Sequence, residues 1–201
     1  MKVALIGASG NIGSKIAAEL LARGHSVTAI ARNAGKAPPG TQAKSVDAAD
    51  AAALAAVLKG HDAVISSAPF APGLSPAIIA AVKQSGVKRY IMVGGAGSLE
   101  VAPGKMLKDT LTLPDAVRAI LDEAAENLKR LRAENELDWT FFSPAAEIGP
   151  GERTGKFRLG GDQLVTGADG KSRISYDDYA IALVDELEQG KHIRRRFTVA
   201  Y

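Results

Sequence analysis

Short unbroken apolar runs alternate along this chain with longer stretches in which apolar residues return every three or four positions. Val3 to Ile6 is the first run, with the length and branching of a buried strand. Beyond Gly13, the residues Ile16, Ala17, Leu20 and Leu21 fall on one face and Lys15, Glu19 and Arg23 fall off it, which predicts a helix. The unit then repeats. The first helix ends at Gly24 before Val27 to Ile30; a second, about Ala48 to Leu58, ends at Gly60 before Ala63 to Ser66; a third, about Ser75 to Gln84, ends at Gly86 before Tyr90 to Val93. Each glycine sits where a left-handed residue closes a helix. Strands this uniformly apolar are covered on both faces, as in a parallel sheet. The expected fold is therefore α/β, a doubly wound parallel sheet with helices on both faces and right-handed crossovers.

The second half extends the pattern and then loosens it. Pro114 starts the longest predicted helix, to about Glu136, with Ala116, Ile120, Ala124, Leu128 and Leu131 as its apolar face. Trp139 to Phe142 reads as a sixth strand, Tyr176 to Gln189 as a last helix and Phe197 to Ala200 as a last strand. Between them, Ser143 to Ser172 is rich in glycine and charge, with short apolar pieces at Phe157-Arg158-Leu159 and Leu164-Val165. The whole chain, residues 1–201, is expected to be one domain, with substrate-pocket loops at roughly 95–113 and 145–172. Ligands of such folds bind beyond the carboxyl ends of the strands, so the loops after strands one, two, four, five and six are expected to build one site.

Composition narrows the function classes. The chain has no cysteine, hence no disulfide and no thiolate chemistry, which fits a reducing cytoplasm. No charged-then-apolar leader precedes the first strand, and no apolar run has the length to span a bilayer. A net charge of +3 is too small to argue for nucleic acid. No His, Cys and carboxylate group has metal-ligand spacing, so no metal is expected. The basic run Lys191 to Arg196 reads as a solvated loop, and Asp122-Glu123 and Asp177-Asp178 as solvated helix faces or N-terminal charge. His25 and His61 read as capping or surface residues. No exposed apolar stripe announces an interface, so a monomer or weak homodimer is expected.

The chemistry concentrates at the start. Gly7, Gly10 and Gly13 lie between a strand and a helix, where a bare turn and free helix amides suit a pyrophosphate. The backbone of Ser9, Asn11 and Ile12 belongs to the same turn. The spacing is G-x-x-G-x-x-G rather than G-x-G-x-x-G, and a tight turn without a ligand is the plainer alternative. About twenty residues on, where an NAD-binding protein carries a carboxylate for the ribose hydroxyl, stands Arg32, followed by Asn33. A guanidinium suits the 2′-phosphate of NADP, so NADP(H) is expected over NAD(H); a surface arginine at the sheet edge is the alternative. Lys36 lies in a loop too rich in glycine and proline to place. Asp47, with Ala48 beside it, either accepts from an adenine amino group or caps the next helix. Ser67, Ala68 and Pro69 let the chain pass close to the cofactor ribose, and Phe70 is a ring that could stack on a flat substrate. Gly94 and Gly95 form a second close-approach loop.

At these residues the chain resembles the small atypical short-chain dehydrogenase/reductases with a Rossmann-type NAD(P)H-binding domain, in particular the NADH-flavin reductase and biliverdin-IX-beta/flavin reductase branches. The resemblance rests on GASGNIG at Gly7 to Gly13, ARN at Ala31 to Asn33, Asp47, SAP around Ala68, GGAGSL at Gly94 to Leu99, SPA at Ser143 to Ala145 and the ending ISYDDYA…RRRFTVAY. It spans nearly the whole chain. Most short-chain dehydrogenases use a tyrosine and a lysine four residues on; here Tyr90 meets Gly94, Tyr176 meets Ala180 and Tyr179 meets Leu183. The serine usual after strand five would fall near Gly95. The acid machinery for making an alcohol from a ketone is missing, which argues against a ketone reductase and a typical sugar epimerase. A flavin acceptor tolerates this, because its own ring takes the hydride and spreads the charge while the protein supplies proximity.

The resemblance thus implies an NADPH-preferring reductase of a flavin, quinone or similar planar small molecule, with flavin as substrate rather than a tightly held group. Ser98 and Glu147 are the candidate catalytic residues; Ser143 and Pro144 border the nicotinamide; Phe70, Ser98 and Met106 face the acceptor. A lid is expected from Leu99 to Leu113 and Ala145 to Gly161. Two other readings stay open: a non-catalytic NADP(H)-binding redox sensor, and a reductase or isomerase dedicated to one aromatic or quinone metabolite.

Overall fold

A computed structural model describes residues 1–201. In chain order it contains β1 (Lys2–Ile6), α1 (Asn11–Ala22), β2 (Ser26–Ala31), β3 (Gln42–Ser45), α2 (Ala51–Leu58), β4 (Ala63–Ser66), α3 (Leu74–Ser85), β5 (Arg89–Val93), β6 (Glu100–Ala102), β7 (Lys105–Met106), α4 (Asp115–Arg132), β8 (Asp138–Ser143), β9 (Glu147–Gly149), β10 (Arg158–Gly160), β11 (Arg173–Ser175), α5 (Tyr176–Gln189) and β12 (Arg195–Ala200). Eight strands form one mostly parallel sheet in the order β10-β12-β8-β5-β4-β1-β2-β3. The doubly wound α/β architecture is the one the alternation predicts. No helix is long and apolar enough to cross a membrane.

The chain packs as two compact units, Met1–Met92 with Glu134–Trp139, and Val93–Ala133 with Thr140–Tyr201. In the first, β1 pairs in parallel with β2 and with β4, β2 with β3, and β4 with β5. Its core is the apolar runs themselves: Val3, Leu5, Ile16, Leu20, Ile30, Leu54, Ile65 and Ile91 are all buried. Gly24, Gly60 and Gly86 have positive φ, as their helix-closing positions require. The second helix starts later than its periodicity suggests. Asp50, whose side chain accepts from Ala53 N at 3.0 Å, is the cap of α2, while Asp47 closes a separate turn by accepting from Ala49 N. His61 donates from Nδ1 to Leu58 O, which leaves Nε2 to accept from the Thr28 hydroxyl at 2.8 Å; it ties the end of α2 to β2.

In the second unit β12 pairs in parallel with β8 and antiparallel with β10. Its centre is an aromatic stack, with Phe142 between Tyr179 and Phe197 at centroid distances of 4.2 and 4.0 Å. The loose stretch after β8 is more ordered than its composition implies. The piece at Arg158 to Leu159 becomes the edge strand β10, and β9 pairs with β11. Residues 99–113, expected as an irregular lid, hold the β6–β7 hairpin and a one-turn helix at Leu107–Thr110.

Three sequence expectations are corrected here. The apolar face of α4 is only half covered: Ala124, Leu128 and Leu131 are buried, whereas Ala116 and Ile120 are exposed, as are Val117, Leu111, Val101 and Met106. The early turns of α4 therefore show apolar surface where none was expected. The basic run is not uniformly solvated. Arg196 is buried, donating to Asp162 Oδ1 from Nε at 2.7 Å and to Ser98 O at 3.0 Å. Asp178 is no solvated helix face either; it is fully buried. Both charges find partners that lie far away in sequence, which offset the cost of leaving water.

Candidate functional site

The first unit carries a cleft of about 880 Å³ at the carboxyl ends of β1, β2 and β4. That is the size range of a small-molecule site. Its lining includes Gly7, Ser9, Gly10, Arg32, Asn33, Asp47, Ala48, Ser67, Ala68 and Pro69, so ten of the residues singled out in the sequence meet at one place. Asn11, Ile12 and Gly13 are the first turn of α1, directly after Gly10. Phe70 is half-buried and is not part of this wall, although Ala71, Pro72 and Leu74 are.

The three glycines have different reasons to be glycine. Gly7 has φ +79°, and a Cβ there would lie 2.4 Å from Ser67 O. A Cβ on Gly13 would lie 2.1 Å from Gly7 O. The fold itself demands both. Gly10 is different. Its φ of −75° and ψ of 169° suit any residue, and a Cβ would meet only Gly7 O at an ordinary 3.5 Å. It is also the N-cap of α1, where Ser, Thr, Asp or Asn would stabilise the helix, and no side chain caps the helix in its place. The first-turn amides have no intrahelical carbonyl to bond, and the first turn holds no acidic residue. Gly10 lines the cleft, and a Cβ there would not collide with the protein. The bare turn and open helix end therefore fit the pyrophosphate of a dinucleotide.

The cleft is charged toward an anion. Arg32 and Lys36 line it, against the one carboxylate Asp47. Lys36, unplaceable from sequence, is fixed by a one-turn helix, Ala34–Lys36, capped by Asn33, whose Oδ1 accepts from Gly35 N at 2.9 Å. No carboxylate replaces Arg32 at the end of β2, where Arg32 O accepts from Ser45 Oγ.

The remaining sequence candidates belong to the second unit. Gly94 is buried, donates from N to Phe142 O, and packs under Phe141, whose Cε1 would lie 2.3 Å from a Cβ; a fold requirement accounts for it. Gly95 is half-buried, and Ser143 and Pro144 are buried. Ser98 is buried, and its Oγ accepts from Arg196 Nη1 at 3.1 Å. Met106 is exposed on β7. Glu147 is exposed at the start of β9 and lines a second cavity of about 700 Å³ with Ile148, Pro150, Glu152, Ile174 and Tyr201.

Residues that sequence reasoning missed stand beside this second cavity. Asp178 accepts from Thr154 N and Oγ1, from Gly155 N at 2.8 Å, and from the Tyr201 hydroxyl at 2.8 Å. Burial pushes its carboxyl up, but these donors outweigh burial and hold it below the ordinary carboxylate range. Tyr201 is pushed up, first by burial and then by its hydrogen bond to Asp178. The available signal was the S-x-x-D pair, Ser175 and Asp178, which marks a helix start; Ser175 Oγ does accept from Asp178 N. Nothing local says that the carboxylate turns inward.

A pH prediction follows for Asp178. A depressed folded pKa adds stability at neutral pH that is lost as pH falls through that value. Asp178→Asn is expected to cost about 1–3 kcal/mol at pH 7. The gap to the parent should close as pH drops below about 4, the ordinary carboxyl range. Urea unfolding of both proteins across pH checks it, and a gap independent of pH would refute it.

The sequence profile of a family described as NAD(P)H-binding matches residues 7–189. Among solved structures, a "putative exported protein" of Burkholderia pseudomallei is 48% identical with a TM-score of 0.91, covering 100% of both chains. A "putative epimerase" of Bacteroides thetaiotaomicron is 43% identical with a TM-score of 0.94, covering 100% of this chain and 96% of its own. A "putative NADH-flavin reductase" of Streptococcus pneumoniae is 39% identical with a TM-score of 0.84, covering 100% and 99%.

Proposed function

From the premise that the chain belongs to the NAD(P)H-binding family, we propose that it is an NADPH-dependent reductase of a flat small-molecule acceptor such as a flavin or quinone. One observation carries the reading. Gly10 lacks a side chain where the fold tolerates one and the helix would gain from one, so the cleft, and not the fold, accounts for the glycine. The amides of Asn11, Ile12 and Gly13 would hold the pyrophosphate, with Ser9 beside them. Arg32 and Lys36 would hold the 2′-phosphate, which supports NADPH over NADH. Asp47 and Ala48 would border the adenine, and Ser67, Ala68 and Pro69 the ribose. When bound, the nicotinamide supplies a hydride.

The acceptor class rests on what the chain does not offer. No tyrosine has a lysine four residues on, and Tyr90 and Tyr179 are fully buried. The Tyr179 hydroxyl is spent on Phe142 O at 2.6 Å. An acceptor that stabilises its own charge needs no such pair, which favours reduction of a flat ring over epimerisation. The name of the Streptococcus pneumoniae relative points the same way. Ser98 accepts from Arg196 and so keeps its own proton to donate. Glu147 is the second group for proton handling. The absence of cysteine suits a reducing compartment, and the reading places the protein in the cytoplasm.

The test is NADPH oxidation, followed by its near-ultraviolet absorbance, with riboflavin, FMN and simple quinones, beside direct NADPH binding. Acceptor-dependent oxidation, faster with NADPH than with NADH, is the expected result. Tight NADPH binding with no oxidation by any acceptor would overturn the reductase reading and favour a cofactor-binding sensor.

A further inference from the structure

The second unit's cavity has an aromatic side, Tyr201 held by Asp178, that the reductase reading does not use. The Tyr201 hydroxyl donates to Asp178 Oδ2 at 2.8 Å and accepts from Ser175 N at 3.2 Å. Both of its hydrogen-bonding roles are filled by the protein. What Tyr201 has left to offer is its ring; the residue is exposed and forms part of the cavity wall. The ring cannot swing away without breaking those bonds. Asp178 also grips Thr154 and Gly155, so one buried carboxylate holds the tyrosine and the loop after Glu152 together. Ile148, Pro150 and Ile174 supply apolar wall around it. A rigid aromatic face in an apolar cavity of about 700 Å³ is a stacking platform for a flat ring.

The charges around the cavity select among flat rings. Glu147 and Glu152 line it. The cation in the lining is Arg173, whose Nη2 pairs with Asp169 Oδ2 at 2.5 Å. Asp169 in turn is held below the ordinary carboxylate range, first by the Lys171 amide and then by Arg173. The lining thus presents two carboxylates and one cation already committed. A phosphate-bearing ligand meets repulsion there, whereas a ring with N–H groups on its edge meets acceptors.

We propose that this cavity binds an uncharged, nitrogen-containing aromatic ring stacked on Tyr201, and that Glu147 and Glu152 exclude its phosphorylated counterparts. The binding needs no NADPH, so it is separable from the reductase reading.

The experiment is a fluorescence titration of the full chain, without NADPH, by lumichrome, riboflavin and FMN, of which the last two share ring and ribityl chain and differ only in the phosphate. Lumichrome and riboflavin emission are expected to be quenched saturably, with FMN about 10-fold weaker than riboflavin or more. Tyr201→Leu is expected to weaken lumichrome about 10-fold, and Tyr201→Phe, which keeps the ring, by a few-fold at most. Glu147→Gln with Glu152→Gln should bring FMN toward riboflavin. Gly10→Asp, which alters the other cleft, should leave lumichrome binding intact. No saturable lumichrome binding overturns the proposal. So does equal affinity for riboflavin and FMN, equal lumichrome affinity in Tyr201→Leu, or loss of lumichrome binding in Gly10→Asp. Because Tyr201→Phe retains the core of the site, a misfolded Tyr201→Leu does not decide the result.

Discussion

Gly10→Asp is expected to abolish dinucleotide binding while leaving the protein at least as stable as the parent. The two halves of that result come from different physics. Aspartate is a favoured N-cap, and replacing a glycine there gains a few tenths of a kcal/mol. The backbone at position 10 needs no left-handed conformation, and a Cβ there meets no atom closer than 3.5 Å. The thermal midpoint should therefore hold or rise slightly. The new carboxylate, however, occupies the helix end that would receive the pyrophosphate and takes up its amides. Losing charge-assisted hydrogen bonds of about 1.5–3 kcal/mol each implies a loss of about 100-fold or more in affinity. Gly13→Ala is the contrast. Its Cβ would press on Gly7 O at 2.1 Å, so stability and binding should fall together, by roughly 3 kcal/mol in stability. Calorimetric NADPH titration and thermal melts of the three proteins check the pair. If Gly10→Asp binds NADPH like the parent, the cleft is not the pyrophosphate site and the proposed function falls with it.

The second large effect is expected at Arg32. Arg32→Ala should weaken NADPH binding about 10- to 100-fold and leave NADH within a few-fold. The reason is selective: in the proposed binding mode the guanidinium would meet the 2′-phosphate, a group that NADH lacks. Lys36 lines the same cleft and should retain part of the attraction, so the double variant with Lys36→Ala should erase the preference. Raising ionic strength should reduce the parent's preference as well, because both cations are exposed and screened. Equal losses for the two cofactors would show that Arg32 acts on the fold or on the shared part of the nucleotide.

Much of this architecture is legible in the chain because it is written locally. Apolar runs such as Val3 to Ile6 and Ala63 to Ser66 become inner parallel strands, and Gly24, Gly60 and Gly86 close helices with positive φ. Strand, glycine turn and helix sit next to each other in sequence, so the candidate nucleotide turn needs no folding to be noticed. The ends of elements are less legible. Asp47 and Asp50 both stand before α2, and only the hydrogen bond from Ala53 N shows which one caps it.

Charge burial is where local reading fails. Arg196 lies in a run of basic residues that looks solvated, and Asp178 in an acidic pair at a helix start. Each is buried because its partner arrives from far along the chain: Asp162 lies 34 residues from Arg196, and Thr154 lies 24 from Asp178. Periodicity reports which face of an element is apolar, but not which distant carboxylate or amide will meet a charge. The same limit applies to α4, whose apolar repeat runs past Ile120 although the packing covers it only from Ala124 onward.

The alternating α/β order, the helix-closing glycines and the place of the glycine turn can be read from the chain alone, since each depends on residues within a few positions of one another. Only the tertiary structure decided which glycine serves the fold and which bares the cleft. It also decided that Asp178, Tyr201 and Arg196 turn inward, because those outcomes depend on contacts that the chain makes only after it has folded.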